Sequence, residues 1–275
     1  PTFHAVHKPH TTVVAESTDS TFSYTGSIET FVVPSGVTSI TIEAWGAGGA
    51  SPTSVVYTPG KGARLKGTFT VTPSDVILIL VGQNPNNQGG GGGGTFIVEV
   101  DNNSSYTMNT GEKVTPLLVA GGGAGGTNRS GTDNPNKDAV LTTNGATSDI
   151  FAGGTDGSGG TTGGQGCRPG AGGGFLSAGQ NGSCSANGGN SFLSGGAGGT
   201  GSNNSSFGPG GFGCGAAGNI HRSGAGGGYS GGGAGLNPPP TRYGPSAGGG
   251  SYNSGSNQSN SVSVQEGNGQ VILSY

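Results

Sequence analysis

The chain has 275 residues, 65 of them glycine, with 8% charged residues and a formal net charge of −3. That length suits one large domain or two small ones, and so little charge argues against disorder, which goes with high charge and low apolar content. Collagen is excluded because no Gly-X-Y register survives "GSNNSSFGPGGFGCGAAGN", and the ten scattered Lys and Arg form no basic stripe for nucleic acid.

The chain opens at Pro1 without an initiator methionine, which predicts a processed, mature and secreted product. Residues 1–20, "PTFHAVHKPHTTVVAESTDS", read as an extended arm. His4, His7 and His10 recur every three residues, so an extended three-fold helix would put them on one face. Three imidazoles suit zinc or copper; the plainer reading is an arm whose polar face carries histidine. Thr11, Thr12, Val13, Val14, Ala15 and Glu16 suit a strand donated to the open edge of a neighbouring copy.

Period-two patterning then begins. "SITIEAW" sets Ile40, Ile42 and Ala44 against Thr41, Glu43 and Trp45, and "ARLKGTFTV" sets Ala63, Leu65, Phe69 and Val71 against Arg64, Lys66, Thr68 and Thr70. Such alternation marks strands with one buried face. "VILILV" (76–81) and "TFIVEV" (95–100) are denser and suit central strands; "TPLLVA" (115–120) and "GQVILSY" (269–275) look similar. The longest apolar run, 76–81, is far short of the ~20 residues of a spanning helix, so no membrane insertion is expected. No segment has helical periodicity. The flanks therefore predict an all-β fold with little or no α-helix, an antiparallel β-sandwich or jelly roll (TNF-like) of roughly seven to nine short strands.

Between two of these strands lies "GGGGGG", Gly89 to Gly94. A flexible linker is one explanation of such a tract; a place that requires backbone without side chains is the other. Residues 121–250 hold 46 of the 65 glycines, and the last strand must return to the sheets after them, so this segment is an insertion held at both ends. The organisation expected is an arm at 1–20, a sandwich at 21–120 plus 256–275, and a glycine-rich insert at 121–255.

The insert has its own repeat. "CRPGAGGGFLSAGQNGS" from Cys167 and "CSANGGNSFLSGGAGGT" from Cys184 both place Phe-Leu-Ser eight residues after cysteine, a period of seventeen. Repeats of one unit usually stack. Polyproline-II geometry has three residues per turn and no internal hydrogen bonds, so bare glycine threads in that form can lie side by side and bond laterally. Fixing each residue costs ~1–2 kcal/mol and each hydrogen bond returns ~0.5–1.5 kcal/mol net. Such a bundle of polyglycine-II helices persists only if nearly every interior amide is paired and the ends are clamped. Phe175, Leu176, Phe192, Leu193, Phe207, Phe212 and Tyr229 are available to pack along its flanks.

Little here suggests catalysis. Residues 151–250 carry four charges, Asp156, Arg168, Arg222 and Arg242, and offer no acid–base pair. "GPSAG" around Ser246 matches a nucleophile-elbow pattern, but that motif needs a strand–turn–helix context and arises by chance in such composition. No enzyme activity and no cofactor are expected. Cys167, Cys184 and Cys214 allow three intramolecular pairings, each leaving one thiol over. The shared repeat position favours Cys167–Cys184, with Cys214 free or bonded to another chain; three reduced, buried thiols are the alternative. N-glycosylation patterns begin at Asn102, Asn103, Asn128, Asn181, Asn203, Asn204 and Asn257.

"FVVPSGVTSITIEAWGAGGA", "VILILVGQ" followed by "GGGGGGTFIV", "PLLVAGGGAGG", "GAGGGYSGGGAG" and "GNGQVILSY" occur in that order over about residues 22–275. In these stretches the chain resembles the secreted glycine-rich domain family. That family includes the membrane-proximal ligand-binding region of the anaplastic lymphoma kinase and leukocyte tyrosine kinase receptors and domains of bacterial and protist surface proteins. The resemblance implies a β-sandwich with an inserted bundle of polyglycine-II helices; no ligand-contact residue carries over.

Two roles follow as expectations. One is an extracellular structural subunit of a surface filament or coat that self-associates through the donated arm. The other is a binding module, an adhesin or receptor-type ectodomain for another surface protein or a glycan, with Tyr57, Tyr229 or Tyr243 exposed at one tip.

Overall fold

In β3 (Ser39–Trp45), the alternating Ile40, Ile42 and Ala44 are fully buried while Thr41, Glu43 and Trp45 face outward. Its neighbour β4 (Gly62–Thr70) repeats the pattern with Ala63, Leu65 and Phe69 inward. Outside, Glu43 takes ion pairs from Arg64 at 2.6 Å and Lys66 at 3.2 Å, and the Arg64 guanidinium lies over the Trp45 ring. The period of two has sorted apolar from charged residues across one sheet. The computed structural model describes residues 18–52, 57–85, 88–101, 113–128, 134–163, 167–201, 207–219, 221–235 and 245–275.

The remaining strands are β1 (Asp19–Ser23), β2 (Glu29–Val32), β5 (Val76–Leu80), β6 (Thr95–Val100), β7 (Val114–Ala120), β8 (Phe207–Gly208), β9 (Gly218–Asn219), β10 (Tyr252–Asn253), β11 (Ser256–Gln265) and β12 (Gln270–Ser274). They build two five-stranded sheets, β1-β12-β3-β4-β11 and β10-β7-β6-β5-β2, and a two-stranded ribbon β8-β9; every pairing between strands is antiparallel. Among the described residues two complete 3₁₀ turns occur, Pro135–Lys137 and Phe192–Ser194, and no α-helix. The fold is all-β, consistent with a β-sandwich.

β1 starts at Asp19 and pairs with β12 of its own sheet, while Thr18 and Tyr275 exchange backbone bonds. The self-contained part of the fold thus reaches into the segment read as an arm. At the other boundary, β10 pairs with β7 inside the range assigned to the insert. Both strands escape the alternation test because they carry few apolar residues, and β11, with Asn, Gln and Ser at most positions, escapes it too.

Strands β5 and β6 explain their density. Ile77, Ile79, Val81 and Ile97 join the core shared with β3, β4 and β12, while Leu78, Leu80, Phe96 and Val98 belong to a second cluster on the opposite face. That cluster contains Phe175, Phe192 and Cys214 from the glycine-rich segment. The second sheet is therefore buried on both sides, which near-continuous apolar strands require.

The strands run directly into glycine threads: β3 into Gly46–Ala50, β7 into Gly121–Gly126, and Gly89–Gly94 into β6. Gly89–Gly94 is surrounded by other backbone. Gly91 donates to Ala216, Gly92 to Gly123, Gly93 to Gln83 and Gly94 to Gly213, while Ala47, Ala50, Gly211, Gly224 and Gly227 donate to its carbonyls. A Cβ built on Gly93 would sit 1.8 Å from the Phe212 carbonyl oxygen, and one on Gly91 1.9 Å from that of Ala225. No side chain fits between threads so close; the tract is a place, not a linker.

Candidate functional site

The thread bonds obey a rule of three. From 224 to 229, Gly224 and Gly227 donate to Gly89 and Gly92, Ala225 and Gly228 to Gly170 and Gly173, and Gly226 and Tyr229 to Ala247 and Gly250. From 170 to 175, Gly170 and Gly173 donate to Ala217 and Cys214, Ala171 and Gly174 to Gln180 and Ser177, and Gly172 and Phe175 to Gly232 and Tyr229. Each thread thus addresses three neighbours in rotation, returning to the same one every third residue. Neighbours run in both directions: the bonds that the first thread donates run in parallel register, those that the second donates in antiparallel register. The first thread accepts from Gly122 and Gly125 in antiparallel register.

The seventeen-residue repeat has a physical meaning. Cys167 and Cys184, its equivalent positions, are joined by a disulfide, and Cys214 is unbonded and fully buried. Burial pushes the Cys214 thiol well above its ordinary range, so it is not a nucleophile. Its Sγ lies 3.8 Å from the Gly174 carbonyl, inside the apolar cluster. The repeat's two phenylalanines stack: Phe175 on Phe192 at 5.2 Å, Phe192 on Phe96 of β6 at 5.1 Å. Tyr229 extends the column from Phe175 at 6.2 Å, and Tyr252 closes it at 4.7 Å. Leu193 and Phe212 pack against the same cluster, whereas Leu176 is exposed; the Phe207 side chain lies outside the description.

Of the tyrosines considered for a tip, Tyr229 is thus half-buried in this column, and burial raises its phenol, helped by Tyr252 and Asp156. Tyr57 is half-buried and bridged to Thr127. Tyr243 lies outside the described residues, as do His4, His7, His10 and Thr11 to Glu16. Ser246 is fully buried; its backbone N–H donates to Ser223 Oγ, its hydroxyl donates to the Ser223 carbonyl and accepts from Gly235 N–H. Its hydrogen bonds tie threads together. Asn128 Oδ1 is 2.9 Å from His221 Nδ1, Asn181 is exposed and accepts from Gly188 N–H, and Asn257 is exposed on β11. Asn102, Asn103, Asn203 and Asn204 lie outside the described residues. Among the described residues no three His, Cys, Asp or Glu side chains converge on a metal position, and no helix is long and apolar enough to cross a membrane.

Sequence reading missed a cleft of about 690 Å³ beside the threads, lined by Gly49, Ser51, Thr58, Pro59, Gly60, Lys61, Asn84, Pro85 and Glu266. Lys61 Nζ and Glu266 Oε1 pair across it at 2.7 Å. That hydrogen bond and charge contact raise the Lys61 ammonium and lower the Glu266 carboxylate from their ordinary values. Asn84 fixes the wall: its amide nitrogen donates to the carbonyls of Gly48, Gly49 and Glu266, and its backbone N–H to Asn268 Oδ1. Lys137 Nζ donates to Thr58 Oγ1 at 3.1 Å. The only sequence signal was the run of short polar residues around each glycine thread, too common in this chain to single out.

The ends of the threads converge. Ala50 bonds Gly90 and Gly126, Tyr57 bonds Thr127, Gly224 bonds Gly89 and Gly125, Ala217 bonds Gly170 and Asn187, and Asn187 bonds Thr200. Comparison with protein-family models gives no match, and comparison with curated proteins gives none either.

Proposed function

We propose that the chain is a non-enzymatic extracellular structural protein, a subunit of a surface filament or coat. In this reading its glycine-rich segment is a bundle of polyglycine-II helices held by the β-sandwich. The observation that carries it is the return of each thread to the same neighbour every third residue, for example Gly224 and Gly227 to Gly89 and Gly92. A helix with three residues per turn presents donors in that rotation. Threads bonded on three sides, with no room for a methyl group at glycines such as Gly91, Gly93 and Gly226, make a stiff slab whose purpose is mechanical. The Cys167–Cys184 bridge suits an oxidising, extracellular compartment. The resemblance to secreted glycine-rich domains points the same way.

Assembly is assigned to residues 11–16, which precede β1, an edge strand of its sheet. Donated to a sheet edge of the next copy, they would bind through main-chain bonds with alternate side chains setting register. Electron microscopy of the purified full chain and of a Val13→Pro, Val14→Pro variant tests this. Filaments or sheets are expected from the first and separate particles from the second, since proline removes the ladder donors. Equal polymerisation by both, or a monomer from the unaltered chain, refutes arm donation.

A second reading, a recognition module for another surface protein, is favoured by the meeting of thread ends around Ala50, Tyr57, Gly89, Thr127 and Gly224. Loops on a rigid scaffold are common binding surfaces. It forecasts a monomer whose attachment to a protein-coated surface is lost when Tyr57 and Arg222 are replaced together. A doubly substituted protein that attaches unchanged would count against it.

A further inference from the structure

We infer that the cleft between threads 48–51 and 58–61 is a binding site for a neutral oligosaccharide. Its volume of about 690 Å³ falls within the ~300–1,000 Å³ of small-molecule sites, enough for two or three sugar rings. The chemistry of its lining selects the class. Lys61 and Glu266 satisfy each other at 2.7 Å, so a strongly charged ligand would have to break a pair already made. An apolar ligand would cover both charges and the hydroxyls of Ser51 and Thr58 without replacing their water, an uncompensated loss. A polyol avoids both penalties. Its hydroxyls donate and accept at once, matching Ser51, Thr58 and the outer oxygen of Glu266, and the Pro59 and Pro85 rings offer apolar faces to sugar C–H groups.

The frame is built before any ligand arrives. Asn84 is locked by three carbonyls and by Asn268. Gly49 donates to Gly60, which donates to Ala124, and the Lys61 N–H donates to Asp138 Oδ1 at 2.8 Å. Little conformational entropy is left to lose on binding. This inference goes beyond the assembly reading, since neither the thread bonding nor a donated arm involves these side chains.

The test uses the full chain labelled for NMR and titrated with maltotriose, cellotriose, chitotriose and mannotriose. A sulfated disaccharide and a short neutral peptide form the competing arms. The expected result is saturable movement of the amide signals of Ser51, Lys61 and Glu266 with at least one neutral trisaccharide. Glu266→Ala is expected to weaken that binding ~10-fold or more, the loss of a charge-assisted hydrogen bond. Ser51→Trp, which fills the cleft, is expected to abolish it. Both residues are exposed, and unchanged signals from β3 and β6 verify that each variant is folded. Absence of saturation with all four trisaccharides overturns the inference. So does binding that survives both substitutions, or tighter binding of the sulfated sugar or the peptide.

Discussion

Replacing Gly226 by alanine puts the packing argument under the greatest load. Gly226 donates to Ala247 at 3.0 Å and accepts from Gly232 at 2.9 Å, in the middle of the thread 224–229. A Cβ there would lie 2.1 Å from the Gly122 oxygen and 2.8 Å from its carbonyl carbon, both backbone atoms that cannot swing away. Carbon–oxygen contacts settle at ~3.3 Å or more, so the two threads must part by about 1 Å. The bonds joining them, Gly122 to Gly227 at 2.8 Å and Gly125 to Gly224 at 3.0 Å, then fail. Each buried pair left unsatisfied costs ~1–3 kcal/mol, and the overpacking itself ~1–3 kcal/mol. The sum, about 3–9 kcal/mol, is a large part of the ~5–15 kcal/mol that holds a domain together. At ~2–4 °C per kcal/mol, the thermal midpoint should fall by about 6 °C or more.

Trp45 fluorescence during urea unfolding measures the effect, with Gly267→Ala as the control. That exposed glycine has nothing nearer its built Cβ than Gln265 Nε2 at 3.9 Å, so its change should stay within ~0.5 kcal/mol. Ala225, next to the test site, is itself fully buried; a methyl group is excluded by direction, not by burial. If Gly226→Ala is as stable as Gly267→Ala, the threads are not packed as described.

Three further outcomes follow. Phe192→Ala removes the ring between Phe96 and Phe175 and should destabilise by ~3–5 kcal/mol in the same assay, against a much smaller effect at exposed Leu176. Replacing Cys167 and Cys184 together by serine opens a loop of separation 17 and should cost ~3 kcal/mol, with native Cys214 still unreactive to thiol reagents. Burial, then the charge and hydrogen bond of Asp75 and the charge of Asp101, raise the Glu99 carboxyl. The stability linked to its proton is complete below the unfolded pKa of ~4.3 and lost as pH rises through the higher folded value. Glu99→Gln should therefore be more stable than the unaltered chain at pH 7 and no more stable at pH 4; a gain that persists at pH 4 contradicts this.

The strands were readable where a side chain records its environment. Ile40, Ile42 and Ala44 alternate because one face of β3 meets a core, and 76–81 does not alternate because both faces of its sheet are covered. The phenylalanines of the seventeen-residue repeat likewise announce a stack. β1, β10 and β11 were not readable: Tyr252–Asn253 and most of β11 are held by backbone bonds to β7 and β4, which any residue can make. The same limit is most severe in the threads. Glycine content says that backbones approach closely, but nothing in "GAGGGYSGGG" says that Gly224 seeks Gly89 while Ala225 seeks Gly170. Neighbour choice there follows from which strand ends the threads leave, so it can be read only after the sandwich is in place. The cleft is further removed still, because its residues come from three separate connections and share no pattern.

Amide hydrogen exchange, resolved by residue, tests the lateral bonding of the threads most directly. If these backbones bond to one another as Gly92 does to Gly123 and Gly227 to Gly92, the amides of residues 91–94, 122–126 and 224–228 will exchange as slowly as those of β3 and β6. Exchange at the rate of an unstructured peptide in those glycines, while the sheets stay protected, would contradict it.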